Sequence, residues 1–317
     1  MDYAGRAMQT PDVLVLGGGG ILGEAWMSAL LAGLDGGEGF DARRCGLYVG
    51  TSAGSIVAAS LVAGVPPATR LGGRTGPIAI SAQETTARLT ALRQAFGAAA
   101  DFAGAAAAPL ASLAFASSAG GGAIIRRALL SRVRQGSRSL AELGRMVEQT
   151  GVRWDGRLRI IAVELESGRR VVFGAEGAPQ VSVAVAVQAS CAIPGVFRPV
   201  IAGGRTYLDG GAWSPTNLDS AEVGAGERVL CLNPTGSLRP SRGALAGALG
   251  PVSRGIASSE ALALRGRGAI VTAINPDAAS AAAMGSNLMD PTRRDPVIQA
   301  GLAQGHRLAA GSRRPAA

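Results

Sequence analysis

The chain has 317 residues, of which 47% are apolar, 17% charged and 4% aromatic, a balance that excludes a disordered chain and allows one large domain or two small ones. All 31 basic residues are arginine and the formal net charge is +9 at pH 7. The arginines are scattered in ones and twos, without the basic runs or aromatic interleaving of a nucleic-acid binder, so a solvated basic surface and no nucleic-acid partner are expected.

The first residues, MDYAGRAMQT, lack the cationic start and long apolar run of a secretory leader. Cys45, Cys191 and Cys231 are odd in number and have no metal-like spacing, which suggests a reducing, cytoplasmic setting and no metal. Val13 to Leu16 reads as a buried strand, followed by a helix over 22–34. A second strand, Leu47 to Val49, leads through Gly50-Thr51-Ser52-Ala53-Gly54 into a helix over 55–63 that stops at Gly64 and Pro66-Pro67. This alternation opens a parallel sheet covered by helices.

Residues 73–155 read as a helical insert, with helices at 82–96 and 123–150 around an Ala/Gly-rich middle that is uncharged from Phe102 to Ile125. Ala, Gly and Ser add little insertion energy, so a lid or a surface touching lipid is expected rather than a membrane span. Strands resume at 158–163 and 170–173, while 181–190 fits strand or helix. Residues 197–209 read as a hairpin around Gly203-Gly204, ending at Asp209 before Gly210-Gly211. Strands at 228–232 and 269–274, helices at 241–267 and 297–310, and a disordered tail complete the chain. One domain is expected, with its core over about residues 12–275.

Two glycine-bearing motifs carry chemistry. From Gly18 the sequence reads G-x-G-x-x-G through Gly20 and Gly23. That pattern suits a dinucleotide pyrophosphate, or backbone N–H groups aimed at an oxyanion. G-T-S-A-G places Ser52 between strand and helix, where a strained elbow would expose a nucleophile; the plainer role for such a serine is a helix N-cap. A serine nucleophile needs a base. The one histidine, His306, lies eleven residues from the C-terminus behind a predicted helix, with nothing to set it at a strand end. Asp209, held by the Asp-Gly-Gly turn, is the carboxylate alternative.

The glycine turn, G-T-S-A-G and D-G-G, with ASCAIPGVFRPV (189–200) and DGGAWSPTNLD (209–219), resemble the patatin-like phospholipase family of serine lipid acyl hydrolases. The resemblance implies a three-layer α/β/α sandwich with a mainly parallel sheet. It further implies Ser52 as nucleophile, Asp209 as its base, and Gly18, Gly19 and Gly20 lining the oxyanion hole. Gly50, Gly54, Gly210 and Gly211 would support the two motifs. The substrate would be a lipid ester (a phospholipid, lysophospholipid or glyceride), with no cofactor and with peripheral membrane contact. Leu22 departs from the family, which carries arginine or lysine just before the last glycine of the first motif. Two other readings compete. One is a dinucleotide-binding oxidoreductase using the Gly18–Gly23 loop, although Asp35, Glu38 and Asp41 all precede the second strand. The other is a patatin-like protein that binds lipid without turnover.

Overall fold

The computed structural model describes residues 8–35, 37, 39–72, 122–133, 136–238 and 249–311. The predicted helix at 82–96, the uncharged stretch from Phe102 to Gly121 and the tail beyond Gly311 lie outside them. Eight strands form one sheet: β1 Val13–Leu16, β2 Leu47–Thr51, β3 Leu158–Glu164, β4 Arg170–Phe173, β5 Val200–Ala202, β6 Arg205–Asp209, β7 Arg228–Leu232 and β8 Ile270–Ile274. The order is β5-β6-β3-β2-β1-β7-β8, with β4 paired to β3 off this path. The run β3-β2-β1-β7-β8 is parallel, and β4, β5 and β6 join it by antiparallel pairing.

Alternation along the strands divides the interior. Leu14, Leu16, Tyr48, Ile160 and Leu232 face α1 (Gly20–Asp35), α2 (Ala53–Val62), the helices Ala141–Gln149 (α4) and Val183–Ser190 (α5), and α8 (Arg294–Gly311). Val13, Val15, Val49, Ile161 and Val229 face α6 (Leu249–Gly266). A smaller cluster on Val163 and Leu208 takes in Leu130 of α3 (Gly122–Leu130). The result is the expected three-layer α/β/α arrangement. Helix α1 is buried on nearly every side because α8 lies over it. A methyl on Gly33 would come within 3.0 Å of Gly305 Cα, and Trp26 Nε1 donates to Gln304 Oε1 at 2.9 Å.

Three elements differ from the sequence reading. The helix expected over 123–150 is two helices, α3 and α4, divided at the polar stretch around Ser137 and Ser139. The ambiguous segment 181–190 is helical, with the Ser182 side chain capping it by accepting from Val185 N. The short helix α7, Ala278–Met284, was not anticipated; Asp277 caps it in the same way.

The strand order reverses at β1, which has β2 and β3 on one side and β7 and β8 on the other. The carboxyl ends of β1 and β2 are therefore where an open α/β sheet places its ligand. Register sharpens this. Ile161 pairs with Thr51 and Val172, and the next residue, Ala162, pairs with Asp209 and Val171. A strand has two edges, so β4 occupies one edge of β3 while β2 and β6 share the other. The carboxyl ends of β2 and β6 meet head to head, at Ser52 and Asp209.

Candidate active site

Ser52 has φ 51° and ψ −122°, and its side chain makes no cap hydrogen bond to α2. An N-capping serine has extended backbone and a side chain bonded to the first turn; Ser52 has neither, and its backbone strain is that of a nucleophile elbow. The motif glycines explain how the turn fits. A methyl on Gly54 would lie 1.9 Å from Leu16 O, and one on Gly50 would lie 2.5 Å from Ser55 Cα. Ser190, at the end of α5, fixes the backbone: its hydroxyl accepts from Ser52 N at 2.8 Å and donates to Ile161 O at 2.6 Å.

Asp209 is 2% exposed. One carboxylate oxygen, Oδ1, accepts from Gly211 N at 2.7 Å. Burial pushes the carboxyl up to about 7, against smaller lowering effects from the Ser52 hydroxyl and Gly211 N–H. Its other oxygen, Oδ2, makes no hydrogen bond among the described residues. The Ser52 hydroxyl is thus near enough to act on the carboxyl. A methyl on Gly210 would meet Ile161 O at 2.4 Å, and Gly211 gives its N–H to Asp209.

Several buried groups that sequence reasoning missed hold these two loops together. Asn217, left-handed at φ 49°, places Nδ2 3.1 Å from Thr51 Oγ1, 3.2 Å from Gly210 O and 2.8 Å from Ser214 O. It joins the residue before Ser52 to the residue after Asp209. Below it, Glu260 of α6 accepts from Thr216 Oγ1 at 2.6 Å and Leu218 N at 2.9 Å, and burial raises its pKa. From α3, Arg126 donates to Ala212 O at 3.2 Å and Gly168 O at 3.1 Å, with its guanidinium 4.0 Å from the Trp213 ring centroid. It is wholly buried, makes no ion pair among the described residues, and burial depresses its pKa. Ser190 and Asn217 stood within the quoted family segments, but nothing in residue type marked their roles. Cys191, a buried free thiol, lies 3.8 Å from Ser55 Oγ beside the elbow.

The glycine loop leaves β1 next to the elbow. A methyl on Gly18 would meet Ser52 Cβ at 3.5 Å, so Gly18 lies against Ser52. Its N–H, however, donates to Pro215 O at 2.8 Å, which corrects the expectation that all three glycines supply oxyanion donors. Gly19 and Gly20, the latter with φ 59°, make no backbone N–H bond among the described residues. The first turn of α1 is covered from outside. Leu22 N donates to Leu288 O at 3.0 Å, and a methyl on Gly20 would meet Met289 Sδ at 2.7 Å. A pyrophosphate would need that surface, and β2 ends in the elbow rather than in a ribose-binding carboxylate. Leu22 itself is fully buried in the α1 core.

His306 is exposed on α8. Its backbone N lies within 3.0 Å of where a methyl on Gly33 would sit, and Gly33 is thirteen residues beyond Gly20. At 1.5 Å per residue that is about 20 Å down α1 from the glycine loop. An open cleft of about 770 Å³, lined by Asp12, Asp41, Arg44, Glu227 and Arg228, lies at the amino ends of β1 and β7, the opposite end from Ser52. Among the described residues no three His, Cys, Asp or Glu side chains form a metal-holding group, and no helix is long and apolar enough to cross a membrane.

Residues 141–222 match the family model described as patatin-like phospholipase, a span that holds Asp209, Ser190 and Asn217 and excludes Ser52 and the glycine loop. No curated protein matches the chain. Among solved structures, VipD from Legionella pneumophila is similar at 15% identity and a TM-score of 0.41, over 96% of this chain and 67% of that one. Residues 141–222 are thus similar to the patatin-like phospholipase family, and the order of the three motifs agrees with that likeness.

Proposed function

We propose that this protein is a serine hydrolase that cleaves carboxylic esters of lipids through an acyl-enzyme. The observation that carries the reading is the abutment of a strained Ser52 with a buried Asp209 whose pKa is raised to about 7. A base poised near neutrality suits proton transfer better than an ordinary carboxylate. The family match supports lipid ester hydrolysis in general.

The ionised Asp209 takes the hydroxyl proton as Ser52 Oγ attacks the ester carbonyl. The carbonyl oxygen gains the negative charge and accepts from the N–H groups of Gly19 and Gly20, helped by the positive end of α1. Collapse breaks the bond to the alcohol, which leaves with the proton from Asp209. Water then gives a proton to Asp209 and attacks the acyl carbonyl. The second collapse releases the fatty acid and returns the proton to Ser52. The substrate is a phospholipid, lysophospholipid or glyceride, met at a membrane surface.

Labelling by a fluorophosphonate probe and turnover of a p-nitrophenyl acyl ester test the reading. Both are expected in the wild type and lost in Ser52→Ala with the fold intact. Full turnover in Ser52→Ala overturns it, and lipid binding without any turnover in the wild type would instead mark a non-catalytic lipid-binding protein.

A further inference from the structure

We infer that the carboxyl-terminal rim of the sheet is a docking surface for anionic lipid, with Ile124 and Ile201 entering the bilayer interface and arginines meeting the headgroups. The inference rests on the reading of the site as a lipid esterase. It concerns where the membrane sits rather than the chemistry.

The rim is defined by register. Strand β3 ends at Glu164, which pairs with Tyr207, and Leu165 N donates to Thr206 O at 2.9 Å. The start of β6, its partner β5 and the β3–β4 turn therefore rise together from the sheet end at which Ser52 lies. Helix α3 adjoins the same turn, because a methyl on Gly168 would meet Ala123 O at 2.3 Å and Arg127 N at 2.8 Å.

On this continuous surface stand the two most exposed large apolar side chains of the described residues, Ile124 at 83% and Ile201 at 75%. Each sits among exposed arginines: Arg127 on α3, Arg169 on the turn, and Arg198 and Arg205 flanking β5. The adjoining acids are few and engaged. Glu164 bonds Arg205, and Glu166 accepts from Thr206 N at 3.1 Å. Isolated apolar tips ringed by cations suit a leaflet with negative headgroups, where each basic residue at the surface adds about 1 kcal/mol and the apolar tips add burial. The other exposed large apolar residue at a strand among the described residues, Ile270, sits at the start of β8, paired with Arg228 at the opposite end of the sheet, and serves as the control.

The experiment uses full-length Ser52→Ala protein, so that no lipid is consumed, and co-sedimentation with phosphatidylcholine vesicles with or without phosphatidylserine. Binding to the anionic vesicles, weakened by salt, is expected. Ile124→Asp with Ile201→Asp should lower it at least ten-fold, and each of Arg127→Gln, Arg169→Gln and Arg198→Gln about five-fold, the effect of one surface charge. Ile270→Asp should change nothing. Equal binding to both vesicle types overturns the proposal, as does a loss in Ile270→Asp matching that in Ile201→Asp. The same substitutions in a Ser52 background should keep turnover of a soluble p-nitrophenyl ester. Absent turnover in the parent would defeat the esterase reading and leave the binding result standing.

Discussion

The Ser190 hydroxyl accepts from the Ser52 N–H at 2.8 Å while donating to Ile161 O at 2.6 Å, so a residue on α5 holds the Ser52 backbone against β3. Ser190→Ala would leave a buried N–H and a buried carbonyl unpaired. The expected cost is about 1–3 kcal/mol of stability. Because the elbow is strained, the freed backbone would also relax away from Asp209. A fall in kcat of about ten-fold, corresponding to about 1.4 kcal/mol, is expected with KM little changed. Ester kinetics and urea unfolding check both effects, and Ser190→Thr, which keeps the oxygen, should recover most of the rate.

A carboxylate base raised to about 7 makes a specific pH profile. Turnover should rise with pH through a limb near 7, because only the ionised form accepts the proton. Asp209→Asn should abolish turnover, by about 10²-fold to 10⁴-fold, the usual effect of losing a general base. His306→Ala should be silent. Stability moves in the opposite sense to activity. The folded-state pKa lies above the unfolded value, so the protonated carboxyl's contribution is complete below about 4 and is lost as pH rises through about 7. Asp209→Asn should therefore gain in Tm relative to wild type at pH 8 and show little gain at pH 4.

Much of the site could be read from residue types because its backbone demands are severe. A methyl on Gly54 would lie 1.9 Å from Leu16 O, and Gly50 and Gly210 are confined in the same way. Such positions leave a visible motif. The strands showed in their apolar runs, and the layered fold followed from their alternation with helices. What stayed hidden depends on partners distant in sequence. Asn217 finds Thr51 across 166 positions, and Gly18 gives its N–H to Pro215. No local pattern distinguishes a glycine N–H that faces a substrate from one that ties down a loop. The break between α3 and α4 was likewise masked, because an Arg- and Ser-rich stretch keeps moderate helix propensity until packing decides.

Arg126 braces the loop that carries Asp209 from the far side. Its guanidinium stacks on Trp213 at 4.0 Å and bonds Ala212 O and Gly168 O, with no carboxylate among the described residues to offset its burial. Arg126→Met fills the volume and removes the charge but leaves two carbonyls unpaired. Turnover is expected to fall by about ten-fold, with stability within about 1–3 kcal/mol of wild type, since desolvation relief offsets lost hydrogen bonds. Arg126→Lys, which keeps charge but not the planar fork, should rescue neither the stack nor the rate. Wild-type turnover in both variants would show that the brace does not reach Asp209.

Asn217 allows its backbone and side-chain contributions to be measured apart. At φ 49° and ψ 35° it sits in the left-handed region, which costs a residue with a Cβ about 1–2 kcal/mol unless its side chain compensates locally. Its Nδ2 bridges Thr51 and Gly210, the neighbours of the two catalytic candidates. Asn217→Gly keeps the backbone without strain and deletes the bridge, whereas Asn217→Ala deletes the bridge and retains the strain. If the bridge sets the distance between Ser52 and Asp209, both variants should lose the same factor in kcat, of order ten-fold. The alanine variant should also unfold at lower urea, by about 1 kcal/mol relative to glycine. Parallel losses in rate and stability across the two variants would mean that Asn217 acts only on the backbone, and that Ser52 and Asp209 are held together by the shared edge of β3 alone.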